Sequence, residues 1–279
     1  MTTRRSFLAA STAAAAGAFI SKGASAADVA TTQLPAKWDA ETDVLVAGSG
    51  IAGMSAAISA LDKGAKVLVM EKGKNYGGCA IINGGIIALG GGTRTQKEHG
   101  VEDSPEKLYK KLTNPAHHEY RKNTPELVKK YSEWCPGTQV WLEEHGVKFL
   151  PTFTRPGKYD SQHHESYHHI WWKDSGEGGR KPQPTGGFMT GRGIMMPYYE
   201  YFTGKGGQIF LEHKVVDVYV NDQGAVVGAK VQKPDGSIMN VKANKGVVLA
   251  GGSWKANPEL RRLTDPRFTE NMISTGYPF

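Results

Sequence analysis

Three glycines between two apolar stretches are the residues of this chain whose spacing points most directly to chemistry. Gly48, Gly50 and Gly53 form the pattern GxGxxG between the runs DVLVA and KVLVM. The first glycine of such a pattern permits a tight turn, and the third lets a helix pack closely on a sheet. The second lets backbone N–H groups approach a diphosphate at a helix start, here Ile51 and Ala52, where the helix dipole favours an anion. The spacing therefore predicts a diphosphate-binding turn.

An acidic residue after the second apolar run adds a second chemical function. Glu71, followed by Lys72, stands where the next strand of a dinucleotide-binding unit would end. A carboxylate in that place accepts hydrogen bonds from ribose hydroxyls and disfavours a 2′-phosphate. The alternative is a purely structural glycine turn, because GxGxxG arises by chance in a chain with 35 glycines. The flanking strands and the carboxylate favour dinucleotide binding, with both Glu71 and Lys72 among the predicted contacts.

The elements that position these residues form a predicted strand–helix–strand unit. Strands are predicted at residues 43–47 and 66–70, and a helix is predicted at residues 51–63, with Gly64 as its stop signal. Both strands are nearly continuous aliphatic runs, which is typical of parallel strands covered on both faces. A glycine-rich loop follows at residues 73–95.

The middle of the chain is predicted to consist of helices and loops. A hydroxyl before a proline and an acid marks a helix start at Ser104 and at Thr124. Further helical stretches are predicted at residues 138–145 and 197–202. Residues 151–187 are aromatic, histidine-rich and glycine-rich without periodicity, which predicts a long ordered loop over a site.

From residue 208 onward, apolar residues follow strand patterns. Turn signals at residues 221–224 and 234–236 predict a three-stranded antiparallel meander. Its predicted strands lie at residues 208–220, 224–232 and 237–243, and a buried strand follows at residues 246–252. An NAD-binding Rossmann domain would continue with further strand–helix units instead, so the order of elements favours FAD. The predicted fold class is α/β, a Rossmann-like FAD-binding domain with a central parallel sheet, a three-stranded β-meander and a helical and loop insertion at about residues 96–207.

The first 26 residues have the features of an export signal. Thr3-Arg4-Arg5-Ser6-Phe7-Leu8 matches the twin-arginine pattern, and Ala24-Ser25-Ala26 is a small-residue cleavage site. The alternative, a membrane anchor, needs about 20 apolar residues, and the alanine-rich run from Leu8 to Ile20 is shorter. We predict a signal peptide at residues 1–26, a mature chain at residues 27–279 without a membrane span, and a periplasmic location.

Charge and cysteine content exclude several other functions. The net charge is +7 and no block of five or more like charges occurs, so nucleic-acid binding is not supported. Cys79 and Cys135 are the two cysteines, and neither lies in a haem-attachment or zinc-ribbon pattern. Two free thiols are favoured over one disulfide.

The order of the motifs resembles that of the FAD-dependent oxidoreductase 2 family. This family includes the flavoprotein subunits of fumarate reductase and succinate dehydrogenase, soluble flavocytochrome c fumarate reductases, urocanate reductase and ketosteroid dehydrogenases. The matching segments begin at Asp43, Gly77, Val215 and Lys245, and the middle of the chain matches poorly. Together they span the chain from about residue 41 to its end.

The resemblance implies further contacts to FAD. Gly77 and Gly78, with Gly84 and Gly85, resemble the loop that runs beside the flavin, and Cys79 lies in the same loop. Backbone groups of Val215 or Val216 are expected at the adenine, and Ala250 and Gly251 are expected to pass under the cofactor. Relatives that hold FAD covalently use a histidine in the glycine loop. This chain has no histidine between residues 71 and 92, so non-covalent FAD is expected.

The resemblance also implies an activity. The intact enzyme is expected to reduce an activated C=C bond of a fumarate-like unsaturated carboxylate by hydride transfer from the flavin, with electrons from a separate cytochrome c. The alternatives are a ketosteroid-type dehydrogenase and a non-catalytic FAD-binding module or split subunit. Family members are longer, so this chain is expected to be an N-terminal half that lacks the C-terminal part of the FAD-binding domain and the capping domain. The expected substrate clamp and proton donor lie in those parts, and no catalytic residue is assigned.

Paired histidines allow more than one interpretation. His163, His164, His168 and His169, with His117-His118, could line the flavin or substrate pocket, or lie in a partly exposed loop. A metal site would need His164 and His168 on one helix, and their segment lacks helical periodicity. No metal site is predicted.

Trp171-Trp172 are interpreted as packing residues rather than an electron relay. Arg192 could face an anion or lie in a solvated turn.

Overall fold

A computed structural model describes residues 32–116, 124–149, 167–169, 191–254 and 257–264. The predicted signal peptide, His117-His118, His163-His164 and Trp171-Trp172 lie outside these ranges. The described residues fall into two compact units. The sheet unit takes its residues from Met1–Tyr76 and Lys205–Glu270, and the helical unit takes its residues from Gly77–Gly204.

The sheet unit is built on six strands and one long helix. Its elements are β1 (Ala40–Ala47), α1 (Ile51–Asp62), β2 (Val67–Met70), β5 (Gln208–Phe210), β6 (Lys214–Val220), β7 (Val226–Gln232), β8 (Ile238–Leu249) and α7 (Pro258–Thr264). The strand order is β5-β2-β1-β8-β7-β6. The strands β5, β2, β1 and β8 are mutually parallel, whereas β6, β7 and β8 pair antiparallel. The predicted α/β class with a central parallel sheet and a meander is confirmed.

Both faces of the parallel strands are covered, as their continuous apolar sequences predict. On one face Val46 lies against α1, which buries Met54, Ala57 and Ile58. On the other face the residues of β1 and β2 join residues of the meander in one core cluster. Its buried members are Leu45, Leu68, Met70, Ala229, Val231, Val241 and Ala243. The meander therefore packs with the parallel strands in a single core.

Strand β8 differs from the sequence prediction, which divided it at residues 244–245. The structure has one strand of 12 residues that pairs with β7 over residues 238–242 and with β1 over residues 241–249. The two polar residues between the predicted strands have partners on β1. Asn244 Nδ2 donates to Glu41 Oε1 at 2.9 Å, and Lys245 Nζ lies 3.3 Å from Asp43 Oδ2. Cross-strand partners at the polar positions allow the strand to continue.

The first predicted meander strand is instead divided into β5 and β6. Glu212, between them, has a φ of 58°, a left-handed conformation that a non-glycine residue rarely adopts. Two hydrogen bonds hold this bend: Glu212 N–H donates to Gly73 O at 3.0 Å, and His213 N–H donates to Glu71 O at 2.8 Å. The interruption therefore arises from contacts with the loop after β2, which are not visible in the local sequence.

The helical unit contains α2 (Gly78–Ile81), β3 (Ile86–Ala88), α3 (Arg94–Glu98), α4 (Pro105–Thr113), α5 (Pro125–Glu144), β4 (Tyr167–His169) and α6 (Arg192–Gly204). The helix start predicted at Ser104 is confirmed, because its side chain accepts a hydrogen bond from Lys107 N–H at 3.2 Å. The start predicted at Thr124 is also confirmed, without a side-chain cap. Strands β3 and β4 pair antiparallel.

Two predicted helical stretches, at residues 138–145 and 197–202, are parts of longer helices that contain a proline. Helix α5 continues through Pro136, where a separate stretch at residues 138–145 was predicted, and α6 begins at Arg192, five residues before Pro197. The buried face of α5 extends to both sides of Pro136 through Ser132, Cys135 and Gln139. Gln139 also accepts from Thr95 N–H at 3.2 Å. Packing on both sides of the proline therefore offsets the lost backbone hydrogen bond.

Lowering the pH should weaken the contact between β1 and the residue before β2, because the Asp43 carboxylate that makes this contact becomes protonated. Its Oδ2 accepts from Lys66 N–H at 2.9 Å, and this bond, assisted by Lys245, lowers the pKa of Asp43 below its ordinary value. A folded-state pKa below the unfolded one stabilises the fold above the unfolded pKa, and that stabilisation is lost as pH falls. We expect Asp43→Asn to flatten the decline in unfolding free energy below about pH 5. Urea unfolding at several pH values measures this slope, and an unchanged slope would contradict the assignment.

Candidate cofactor site

The turn after β1 has a conformation that requires glycine. Gly48 has a φ of 105°, and a Cβ at this position would lie 2.4 Å from Ala250 O. The Gly48 N–H donates to Met70 O at 2.7 Å, and the Ala250 N–H donates to Ala47 O at 2.8 Å. The first glycine of the pattern therefore sits where the ends of β1, β2 and β8 meet. The tight turn predicted from spacing is present.

Of the other two glycines of the pattern, Gly53 is tightly packed and Gly50 borders open space. A Cβ at Gly53 would lie 1.9 Å from Gly48 O and 3.2 Å from Val46 Cγ1, so α1 packs directly on the turn. A Cβ at Gly50 would meet nothing within 4 Å. Gly50 has a φ of −69°, which any residue adopts, so the backbone conformation does not require glycine there. Gly50 instead leaves open space at the start of the helix.

The start of α1 offers backbone donors beside that space. Met54 N–H makes the first intrahelical bond, to Gly50 O at 2.9 Å, so the preceding amides, including those of Ile51 and Ala52, have no acceptor within the helix. Ile51 and Ala52 are exposed, and no acidic side chain lies in the first turn. A helix start with open space beside it and no acidic side chain in its first turn is suited to a diphosphate. The residues present therefore fit the diphosphate of FAD.

Glu71 lies directly after β2, buried at 6% exposure. Its Oε2 accepts from Ser49 N–H at 2.9 Å and from Ser49 Oγ–H at 2.6 Å, and its Oε1 accepts from Gly73 N–H at 2.7 Å. The acid predicted to contact ribose is thus held beside the glycine turn. Lys72, the next residue, is half-buried.

The predicted adenine contacts are in β6, joined to Glu71 through the bend at Glu212. Val215 pairs with Val231, whereas Asp217 pairs with Lys230, so the ladder skips Val216 and forms a bulge. The Val215 side chain packs against the core cluster, and Val216 is 44% exposed. A bulged residue has backbone groups outside the ladder. The bulge therefore favours Val216 over Val215 as the residue whose backbone meets adenine.

The last predicted contacts of the sheet unit follow β8. Ala250 is half-buried against Gly48, whereas Gly251 is exposed, with nothing within 4 Å of a Cβ placed on it. In open parallel sheets, ligands bind at the carboxyl ends of the strands. The structure brings the following predicted residues to those ends: Gly48, Gly50, Ile51, Ala52, Gly53, Glu71, Lys72, Ala250 and Gly251.

The predicted flavin loop belongs to the helical unit. Gly77 and Gly78 have positive φ angles of 98° and 49°, and Gly85 has one of 66°. Gly84 is exposed with open space around it, and Cys79 is exposed and belongs to no disulfide. These glycines permit the sharp course of the chain around α2.

Two residues that shape this loop were not singled out from the sequence. Asn83 Oδ1 accepts from Gly85 N–H, and Asn83 Nδ2 donates to Ala80 O at 2.7 Å. A Cβ at Gly191 would lie 1.9 Å from Ala80 O, so glycine is required there as well. The Asn-Gly dipeptide at residues 83–84 is a recognised turn signal and could have identified Asn83. Gly191 carries no comparable local signal.

The structure describes two of the paired histidines, the buried cysteine and Arg192. His168 and His169 lie on β4 opposite Ile87 and Ile86, so these two residues belong to a short strand, and the rest of the loop predicted at residues 151–187 lies outside the described residues. In the described part of the chain, no group of three or more His, Cys, Asp or Glu residues is placed to hold a metal ion. Cys135 is buried, and burial raises the pKa of its thiol. Arg192 is half-buried at the first turn of α6.

The glycine turn, the held carboxylate and the converging strand ends define a dinucleotide-binding protein of the Rossmann class. Residues 43–276 match the family model described as the FAD binding domain, and the chain belongs to this family. FAD is therefore its cofactor, and the resemblance inferred from the motifs is confirmed.

Relatives with assigned functions include several reductases. The chain is 29% identical to the acrylate reductase flavoprotein subunit of Shewanella woodyi over 94% of its own length and 49% of that protein. It is 30% identical to a fumarate reductase (cytochrome) of Shewanella frigidimarina over 85% of its length and 37% of that protein. It is 30% identical to the urocanate reductase of Eggerthella lenta over 88% of its length and 37% of that protein. The chain thus spans about half, or less, of these relatives.

Solved structures show the same architecture. A 3-ketosteroid-Δ4-(5α)-dehydrogenase from Rhodococcus jostii superposes with a TM-score of 0.70 at 30% identity, over 83% of this chain and 50% of that one. The open conformation of a flavocytochrome c3 fumarate reductase superposes with a TM-score of 0.67 at 28% identity, over 87% of this chain and 39% of that one. In the described residues, no helix combines the length and apolar content needed to cross a bilayer.

Proposed function

We propose that this chain supplies the FAD-binding part of an oxidoreductase that reduces a C=C bond conjugated to a carboxylate. The observation that carries the proposal is the dinucleotide site at the ends of β1, β2 and β8, in a chain similar to acrylate, fumarate and urocanate reductases. Acrylate, fumarate and urocanate share one feature, a double bond activated by an adjacent carboxylate. Bound FAD would supply hydride transfer.

The residues of this chain would bind and orient the cofactor. Amides at the start of α1 would hold the diphosphate, the Glu71 carboxylate would accept from an adenosine ribose hydroxyl, and Val216 would meet the adenine through its backbone. The loop with Gly77, Gly78, Cys79, Gly84 and Gly85 would run beside the flavin, and Ala250 and Gly251 would pass under the cofactor. FAD would be held without a covalent bond, because the glycine loop has no histidine.

Export and electron supply belong to the same proposal. The twin-arginine pattern at residues 3–8 supports periplasmic export, a route used by proteins that fold around a cofactor before transport. A separate cytochrome c would deliver electrons, since this chain has no haem-attachment pattern. The similarity to a fumarate reductase named for a cytochrome supports such a donor.

A steroid dehydrogenase is the second candidate. It is favoured by the superposition on the Rhodococcus jostii enzyme, which has the highest TM-score of the structures described above. It would run the C–C redox chemistry in the opposite direction, removing hydrogen from a saturated carbon pair next to a ketone.

Turnover assays on the protein expressed from its own gene distinguish these functions. We expect oxidation of reduced methyl viologen by acrylate, fumarate or urocanate, and no reduction of an artificial electron acceptor by a 3-ketosteroid. The opposite pattern would support the dehydrogenase. Tightly bound FAD without either activity would support a non-catalytic module or a split subunit. Release of FAD into the supernatant after acid denaturation measures whether the attachment is non-covalent.

A further inference from the structure

Ser49 occupies a variable position of the glycine pattern, where spacing assigns no function. It lies between the two glycines of the turn and has 0% exposure. Its backbone N–H and its hydroxyl both donate to the same atom, Oε2 of Glu71, at 2.9 and 2.6 Å. A fully buried side chain therefore links the diphosphate turn to the carboxylate predicted to contact ribose.

The geometry of these contacts fits an ionised carboxylate. A distance of 2.6 Å lies in the range of charge-assisted O–H···O⁻ bonds, which are stronger than bonds between neutral groups. The Gly73 N–H, which can only donate, occupies Oε1 at 2.7 Å. Backbone amides hold both oxygens, and the Ser49 hydroxyl is the one side-chain donor among the three contacts.

The three contacts determine what remains for a ligand. A carboxylate has about four acceptor positions, two on each oxygen. Ser49 occupies both positions on Oε2 and Gly73 occupies one on Oε1, which leaves one position, on Oε1. Without the Ser49 hydroxyl, Oε2 would have a vacant acceptor in a buried place, and the carboxylate would be free to rotate towards a new donor or water.

We propose that Ser49 is a positioning residue for the cofactor: its hydroxyl fixes the Glu71 carboxylate so that the acceptor left on Oε1 takes one adenosine ribose hydroxyl. The inference rests on FAD binding at this turn and adds a specificity function for Ser49. It predicts that Ser49 affects ligands that carry a ribose hydroxyl and spares ligands that lack one. A residue needed only for folding would affect both kinds of ligand equally.

The test measures binding of the adenosine half of the cofactor by the whole chain. ADP and 2′,3′-dideoxy-ADP are titrated calorimetrically into the wild type, Ser49→Ala and the matched control Ser59→Ala. Ser59 is exposed on α1, the helix that follows the turn, and its hydroxyl donates to Ser55 O. We expect Ser49→Ala to weaken ADP binding about tenfold, in line with loss of a hydrogen bond to a charged group, while dideoxy-ADP binding changes less than about twofold. Ser59→Ala should match the wild type for both ligands.

A second variant guards against misfolding of the first. Ser49→Cys retains a similar side-chain volume with a weak S–H donor, so its ADP affinity should lie between those of the wild type and Ser49→Ala. Equal ADP affinity in all variants would overturn the positioning function while leaving FAD binding and turnover intact. Equal weakening of ADP and dideoxy-ADP would also overturn it, by indicating structural damage. A wild type that binds neither ADP nor FAD would overturn the cofactor site itself and the proposed function with it.

Discussion

Gly53→Ala should abolish FAD binding and lower the free energy of unfolding by about 3 kcal/mol or more. The added Cβ would lie 1.9 Å from the Gly48 carbonyl oxygen, which is backbone and cannot rotate away. Helix α1 would have to move off the sheet, and the movement would displace the turn that precedes it. Urea unfolding measures the loss of stability, and flavin fluorescence measures binding.

Gly137→Ala is the matched control for a glycine inside a helix. Gly137 lies in α5, and a Cβ there would meet nothing within 4 Å. Alanine at this position should leave FAD binding unchanged and stabilise the protein by up to about 1 kcal/mol, since glycine is a poor helix former. If Gly53→Ala were as stable as Gly137→Ala, α1 would not pack on the turn as described.

Gly50→Ala should weaken FAD binding and leave the stability of the ligand-free protein nearly unchanged. The backbone at Gly50 suits any residue, and the added Cβ would meet no atom within 4 Å. We therefore expect the free energy of unfolding without ligand to change by no more than about 0.5–1 kcal/mol. The methyl group would occupy the space through which a diphosphate approaches the amides of α1, so FAD affinity should fall about 100-fold or more.

The measurement for Gly50→Ala is a pair of melting curves with and without FAD, together with a binding titration. The wild type should be stabilised by FAD, and the melting temperature of the variant should rise much less at the same FAD concentration, because ligand stabilisation falls as the dissociation constant rises. FAD binding by Gly50→Ala at wild-type affinity would place the diphosphate elsewhere. A large loss of stability without FAD would instead contradict the open space at this position.

The features predicted best from sequence are those with local causes. The turn at Gly48 and the close packing at Gly53 follow from steric limits within a few residues, so their spacing was sufficient to predict both. The helix start at Ser104 is also local, because cap and first turn are neighbours in sequence. The class of fold followed from the same signals taken in order.

The features missed depend on partners far away in sequence. Two strands were predicted at residues 237–243 and 246–252, yet Asn244 and Lys245 between them have partners on β1, Glu41 and Asp43, and the strand continues. A separate helical stretch was predicted at residues 138–145, whereas α5 continues through Pro136 because its packing extends to both sides of the proline. Ser49 gave no signal because its function depends on Glu71, which only the folded sheet brings beside it.

The continuity of β8 restricts where the chain can vary in length. One end of this strand follows the turn at residues 234–236, and the other end leads into Ala250 beside Gly48. An extra residue anywhere between them would reverse the facing of every later side chain and shift Ala250 and Gly251, which we propose pass under the cofactor. An extra residue in the turn would be absorbed there. Insertions and deletions among homologues should therefore collect at that hairpin tip and spare the twelve positions that lead from it to the turn at Gly48.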